Sequence, residues 1–148
     1  MMRRTLRCLL ALASVASAAA CGNSSTTTPT TTTVTPSTEL FSGTLSPKAS
    51  SFYSFTVASA GAVSITLAST ASTRIGPASG AKLRIGFGTP SGFGCVVSSS
   101  VDTTAGLAAQ LAIPTVTADS SGSIYCVQVS DPSQLTSDVL FVIRIVHT

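Results

Sequence analysis

Apolar and polar residues alternate along most of the chain after residue 38. The alternation is clearest in Ser51–Val57, where Tyr53, Phe55 and Val57 fall on one face of an extended chain and hydroxyl residues fall on the other. It resumes in Ala62–Leu67 after a short Ser-Ala-Gly stretch. A period of two residues is typical of a half-buried β-strand, and two such runs around a short turn predict an antiparallel hairpin. Because a lone hairpin is unstable in water, we expect later strands to cover its apolar face.

The same pattern recurs in six other segments, namely residues 39–45, 81–87, 95–100, 109–117, 124–129 and 139–146. Within 105–113 a helix is the alternative, since Leu107 and Leu111 are four residues apart. We favour a strand there because the neighbouring segments are strands of similar length, and Pro114 then needs an edge or a bulge. Residues 68–80, 88–94 and 131–138 are predicted loops. The pattern predicts an all-β domain over residues 39–148, an antiparallel, jelly-roll-like β-sandwich of about eight strands.

The stretch Phe41–Leu67 also resembles a known family. Its order of FSGTL, a short turn, SFYSFTV and AGAVSITL is similar to the bacterial pre-peptidase C-terminal domain, and Ser123–Val129 is similar more weakly. The resemblance implies a small jelly-roll-like β-sandwich on a secreted protein, often beside a protease or other hydrolase. No peptidase accompanies the domain in these 148 residues, which departs from the usual context of the family and removes its main functional clue.

Residues 1–20 read as a signal peptide. Three arginines precede an apolar run, Leu9–Ala20, that ends in small residues and is too short to span a bilayer. The chain is therefore expected to be exported.

The four residues Ala18-Ala19-Ala20-Cys21 resemble a bacterial lipobox. This implies that Cys21 becomes the first residue of the mature protein and carries lipid on its sulfur, which would anchor the chain to a membrane. Ordinary cleavage after Ala20 is the alternative and would leave Cys21 unmodified; we favour lipidation. Gly22, rather than Asp, follows Cys21, which favours the outer membrane in a cell that has two.

The segment that follows, residues 21–38, is a predicted linker. Nine of the seventeen residues of Gly22–Thr38 are Thr, and Pro29 and Pro36 interrupt any strand. Such a composition buries too little apolar surface to offset the entropy of ordering. The linker is predicted to be disordered, either as a stalk that holds the domain away from a membrane or as a plain spacer.

The net charge of +3 comes from the leader, where three of the eight basic residues lie. From Cys21 onward five bases and five acids balance to zero. Nucleic-acid binding needs a clustered basic surface, so no nucleic-acid partner is expected.

Two cysteines remain in the predicted domain, Cys95 and Cys126. An even pair in an exported domain indicates a disulfide. The bond would close a loop of about 30 residues and contribute roughly 3–4 kcal/mol in the chain-entropy model. Because Cys126 alternates with Tyr125 and Val127, it is expected to face away from the core. A metal or redox pair is the alternative, but there is no CxxC motif, so no metal site is predicted.

Catalytic chemistry is poorly represented in the sequence. His147 is the only histidine and lies next to the end of the chain, where fraying is expected. There is no GxSxG motif, and no spacing of acids suggests a carboxylate pair. We therefore predict that the protein is not an enzyme, with a small hydrolase as the least favoured reading.

The predicted loops and strands carry groups that suit two kinds of ligand. Asp119, Asp131 and Asp138 lie in predicted loops and could hold calcium, but Asp is also a common turn residue, and we favour that reading and expect no cofactor. A sugar platform needs exposed aromatic rings; Trp is absent, and only Phe52 and Phe93 are predicted to be exposed. Loops usually carry binding groups, so we predict Phe93, Asp131 and Asp138 as ligand contacts, provided that their loops lie at one end of the sandwich.

These observations predict a non-catalytic lipoprotein of the cell envelope. Its partner would be a surface glycan or a protein, bound through loops. The alternative is a passive structural or accessory domain.

Overall fold

The structure, a computed structural model, describes residues 34–73, 80–106, 108 and 110–148. Within these ranges all regular secondary structure is β. The eight strands are β1 (Ser37–Leu45), β2 (Ser50–Val57), β3 (Gly61–Ser72), β4 (Leu83–Ser91), β5 (Gly94–Thr103), β6 (Leu111–Val116), β7 (Ser123–Ser130) and β8 (Val139–His147). The predicted all-β class and strand number are confirmed, and residues 111–116 form the favoured strand.

The strands form two antiparallel sheets with the orders β1-β8-β3-β6 and β2-β7-β4-β5. Strand β1 pairs with β8, β2 with β7, β3 with β6 and β4 with β5. The chain therefore forms one long folded ladder that is rolled up, and the pairs β3–β8 and β4–β7 close the two sheets. This is the jelly-roll arrangement that the sequence predicted.

The core lies between the facing sides of the two sheets. Every second residue of β8 from Val139 to His147 is buried, as predicted from its alternation. Strand β8 is apolar on both faces because it lies between β1 and β3, inside its sheet. The fully buried side chains include Leu45, Ile65, Leu83, Ile85, Val127, Phe141 and Ile143.

The predicted hairpin of Ser51–Val57 and Ala62–Leu67 is wrong. These segments are β2 and β3, and they lie in different sheets. The short stretch between them crosses from one sheet to the other, so each strand finds its partner far away in sequence. Both strands do bury the predicted face, because burial depends on alternation and not on the partner.

Two predicted loops are also wrong, at least in part. Strand β3 continues to Ser72, through a bulge between Leu67 and Ser69, so the first part of the predicted loop 68–80 is a strand. The predicted loop 88–94 is the hairpin of β4 and β5, with Ser91 paired to Gly94. Gly92 has a φ of 57°, which suits the first position of a two-residue hairpin turn.

The strands give the sandwich two ends. Ser37 pairs with His147, so β1 begins and β8 finishes at one end, which we call the terminal end. The turn between β4 and β5 lies at the terminal end too. The last residues of β4 that pair with β7 do so near the start of β7, and the turn follows them. The opposite end, which we call the loop end, carries the described connecting residues 46–49, 80–82, 104–106 and 131–138.

Candidate functional site

The predicted disulfide is present and joins Cys95 in β5 to Cys126 in β7. Strand β4 lies between β5 and β7 in the sheet. Two strand spacings are about 9.5 Å, yet the two Cα atoms are 5.9 Å apart. The start of β5 must therefore bend across β4 toward β7.

Two glycines in β4 make room for this bend. Ile85 and Phe87 face the core, so any side chain at Gly86 or Gly88 would point outward. A Cβ at Gly86 would lie 2.8 Å from Val97, and one at Gly88 would overlap the backbone carbonyl of Val96. The backbone of β5 thus crosses the outer face of β4. A bulge in the β4–β5 pairing begins after Phe87 and helps strand β5 to turn.

Cys126 faces outward, as its alternation predicted, but it is fully buried. It lies opposite Gly88 and Ser54, on the face that β5 covers. The disulfide is therefore a clasp on the outer face of this sheet, outside the main core.

Phe93 lies at the tip of the β4–β5 hairpin and is fully exposed. It does not cover the disulfide. Val96 is 58% exposed in the same hairpin, and Ile124, at the start of β7, is 59% exposed. Sequence reasoning missed Val96 and Ile124, because scattered apolar residues in strands are ordinarily assigned to the core.

The structure does not bring Phe93 together with Asp131 and Asp138. Phe93 is at the terminal end, whereas Asp131 follows the last residue of β7 at the loop end. Asp138 precedes Val139, which pairs with Leu45 and Ser72 at that same loop end. The single shallow site was predicted on the condition that these loops lie at one end of the sandwich, and that condition is not met, because Phe93 lies at the opposite end from Asp131 and Asp138.

The Asp131 carboxylate is occupied by hydrogen bonds from the backbone. Its Oδ2 accepts the N–H of Lys48 at 2.8 Å, and its Oδ1 accepts the N–H groups of Gln134 at 2.7 Å and Leu135 at 3.1 Å. Partial burial raises the pKa of Asp131, but these hydrogen bonds outweigh the burial, so the pKa lies below its usual value. Asp131 acts as a turn residue in this structure.

Asp119 forms a similar local turn. Its Oδ1 accepts hydrogen bonds from the N–H of Ser121 at 3.0 Å and from the Ser121 hydroxyl at 2.8 Å. It lies at the terminal end, away from Asp131 and Asp138. Across the described ranges, no three acids, histidines or cysteines come close enough to hold a metal ion.

A cavity of about 290 Å³ lies at the loop end. Lys82 is the charged residue that lines it in the part of the chain that the structure describes, and half of the other lining residues are polar. These residues are Ser72, Gln134, Thr136 and Ser137, with the backbone of Gly80 and the apolar Ala81, Leu135 and Val139. Sequence reasoning missed Lys82 as a lining residue, because the loop residues 134–137 beside it come from a distant part of the sequence.

His147 is not frayed, contrary to expectation. Its ring is 4% exposed, packs 5.2 Å from the ring of Phe55, and its Nε2 lies 2.9 Å from the Glu39 carboxylate. Thr148 beyond it donates its hydroxyl to the carbonyl of Ser59 at 2.8 Å. The end of β8 is held because β1 and the crossing between the sheets both bond to it.

No protein-family model matches this sequence, and no curated protein matches it as a relative. The resemblance to the pre-peptidase C-terminal domain therefore depends on the residues quoted above. Cys21 and most of the predicted linker lie outside the described residues. Among the residues described, no helix is long and apolar enough to cross a membrane.

Proposed function

We propose that this chain is a non-catalytic lipoprotein module of the cell envelope. It is exported, held on a membrane through lipid on Cys21, and presents its β-sandwich to a surface glycan or a protein partner. The observation that carries this proposal is the disulfide between Cys95 and Cys126.

The disulfide supports export on chemical grounds. Disulfides persist in oxidising compartments and are rare in the cytosol, where thiols are kept reduced. The positive, apolar leader that ends at Ala20 independently predicts the same compartment.

The direction of the chain supports different roles for the two ends of the sandwich, with attachment at one end and binding at the other. Strand β1 begins at the terminal end, so a linker attached to Cys21 reaches the domain from that side. The loop end then faces away from the membrane. Its cavity, with Lys82 and several hydroxyl and amide groups, suits a hydroxyl-rich or acidic surface polymer.

The anchor is tested by mass spectrometry of the membrane fraction. We expect a diacylglyceryl adduct on an N-terminal Cys21, and we expect Cys21→Ser to release the protein or leave it unprocessed. A soluble chain with an unmodified Cys21 would contradict the anchor.

Binding is tested on a glycan array and by co-purification with envelope proteins. We expect Lys82→Ala and Gln134→Ala to weaken binding, because both residues line the cavity. Ser54→Ala is the matched control, since Ser54 is exposed on the outer face of β2 and does not line the cavity. Binding lost from Ser54→Ala alone would place the contact on a sheet face, and no binding to any polymer or protein would favour the passive accessory domain.

A further inference from the structure

We propose that the terminal end of the sandwich touches a lipid surface. Phe93, Val96 and Ile124, which we call the apolar tip, would enter the interfacial layer of the membrane. The inference rests on the proposed function for the tether, but the tip itself is argued from the described residues.

The apolar tip is built from two strands that the disulfide holds together. Strands β5 and β7 both pair antiparallel to β4, so they run in the same direction. Phe93 lies two residues before Cys95, and Ile124 lies two residues before Cys126. The disulfide brings the cysteine Cα atoms to 5.9 Å, and Phe93 and Ile124 both precede it toward the terminal end, one beside each of the two joined strands.

The exposure of the apolar tip has no explanation within the fold. Phe93 is 103% exposed, whereas the described residues of the core face are covered. The hairpin turn does not need an aromatic residue at this position, because its geometry depends on Gly92. A fully exposed aromatic ring on a fastened hairpin is instead suited to entering an apolar or interfacial environment.

The distribution of charge favours a lipid surface over a polyanion. Among the described residues, the charged side chains toward the terminal end are Asp119, Glu39 and Arg144. Glu39 is already engaged by His147, and Arg144 is exposed on β8, in the other sheet from the apolar tip. Lys48, Lys82 and Asp131 are at the loop end, as is the ion pair of Arg84 with Asp102. The terminal end can therefore lose water without stripping many charges.

The position of the first strand favours the membrane that Cys21 would occupy. Ser37 lies at the same end as the apolar tip. The fifteen residues 22–36 reach about 50 Å when stretched and roughly 20 Å as a coil. A tether of this length raises the effective concentration of the tip at the surface, so a contact of a few apolar side chains is enough to orient the domain.

The test uses tryptophan as a reporter, since the chain has none of its own. The processed chain is recovered from cells and placed on phosphatidylcholine vesicles, either by its own lipid or by coupling the Cys21 thiol to a maleimide-bearing lipid. We expect Phe93→Trp to emit at shorter wavelength on vesicles and to be quenched by brominated acyl chains. Ile124→Trp should behave in the same way.

Phe52→Trp is the matched control. Phe52 is 40% exposed on the outer face of the edge strand β2, toward the loop end and away from the apolar tip, and its emission should not change. Phe93→Trp without quenching on vesicles would overturn the inference, as would equal quenching of Phe52→Trp. A photocrosslinker at position 93 that captures a protein and no lipid in cells would also overturn it and assign a protein partner instead.

The two proposals fail separately in this design. An unmodified, soluble Cys21 refutes the anchor, while quenching of the maleimide-coupled chain at position 93 still supports the apolar tip. A lipidated Cys21 with an unquenched Phe93→Trp refutes the tip and leaves the anchor intact.

Discussion

Asp131 connects two segments of the chain through one carboxylate. It receives the N–H of Lys48 from the turn between β1 and β2, and two N–H groups from its own loop. Lys48 has a φ of 61°, a left-handed conformation that is unfavourable for a residue with a side chain. The bond from Asp131 stabilises that turn at the point where it is strained.

Asp131→Asn is predicted to destabilise the domain at neutral pH. Asn has one acceptor oxygen in place of two, so it loses either the bond from Lys48 or those from Gln134 and Leu135. We expect a loss of about 1 kcal/mol in the free energy of unfolding, because the group is partly exposed and solvent screens it. Urea unfolding of both chains at pH 7 measures this difference.

The same pair of chains tests the lowered pKa of Asp131. A carboxylate whose pKa is lower in the folded state stabilises the protein above its unfolded pKa of about 4 and loses that contribution as pH falls through the folded value. The difference between the native chain and Asp131→Asn should therefore be largest above about pH 5 and vanish in stronger acid. A difference that does not change with pH would contradict the assignment.

For individual residues, the sequence predicted placement in a loop or exposure to solvent better than it predicted the contacts that a residue makes. Asp131 was correctly placed in a loop, because Asp is a common turn residue. Its role depends on Lys48, which is 83 residues away, and no local pattern reports a contact of that kind. Phe93 was correctly predicted to be exposed, but its distance from Asp131 depends on the topology.

The glycines of strand β4 show how glycine content can lead to a wrong assignment of secondary structure. Gly86, Gly88, Gly92 and Gly94 made residues 88–94 look like a loop. Only Gly92 has a left-handed φ, whereas Gly86 and Gly88 are extended residues that leave space for β5. A turn and a close approach of two backbones both require glycine, so glycine content alone does not distinguish a loop from a closely packed strand.

Gly88→Ala is predicted to release the β4–β5 hairpin from its sheet. The added methyl group would meet the backbone of Val96, which cannot give way as a flexible side chain can. We expect a loss of about 1–3 kcal/mol or more in stability, measured by urea unfolding. Gly94→Ala is the control in the same hairpin, since its methyl group would meet only the Ser91 carbonyl at 3.9 Å. Equal effects from both variants would contradict the crossing of β5 over β4.

Loss of the clasp is predicted to lower stability without changing the core. The bond joins residues 31 apart, and removing a native disulfide of this kind costs about 2–5 kcal/mol. The double variant Cys95→Ala with Cys126→Ala, which leaves no free thiol in the domain, should show a lower melting temperature than the native chain. Reactive thiols at Cys95 and Cys126 in the purified domain without reductant would contradict the bond.

The sandwich is a rolled-up series of antiparallel strand pairs, and the outermost pair joins the first strand of the domain to the last. Alternation predicted the eight strands and their buried faces, because both follow from a period of two. The pairing of strands could not be predicted in the same way. Ser37 pairs with His147, which is almost the whole domain away in sequence, and β2 and β3 lie in different sheets although they are consecutive. Contacts between such distant segments have no local signature in the sequence.

The pairing of β1 with β8 gives the domain a mechanical direction. Because both strands reach the terminal end side by side, tension between the two termini would open the ladder one hydrogen bond at a time from Ser37 and His147. Tension between the start of β1 and the loop before Val139 would instead load all the bonds of the nine-residue strand together. Force spectroscopy with handles before residue 34 and at Ser137 should therefore record a higher rupture force than handles at the two termini. A domain that is tethered before β1 and pulled at its loop end would be loaded in shear along β1, which is the direction in which it resists the higher force.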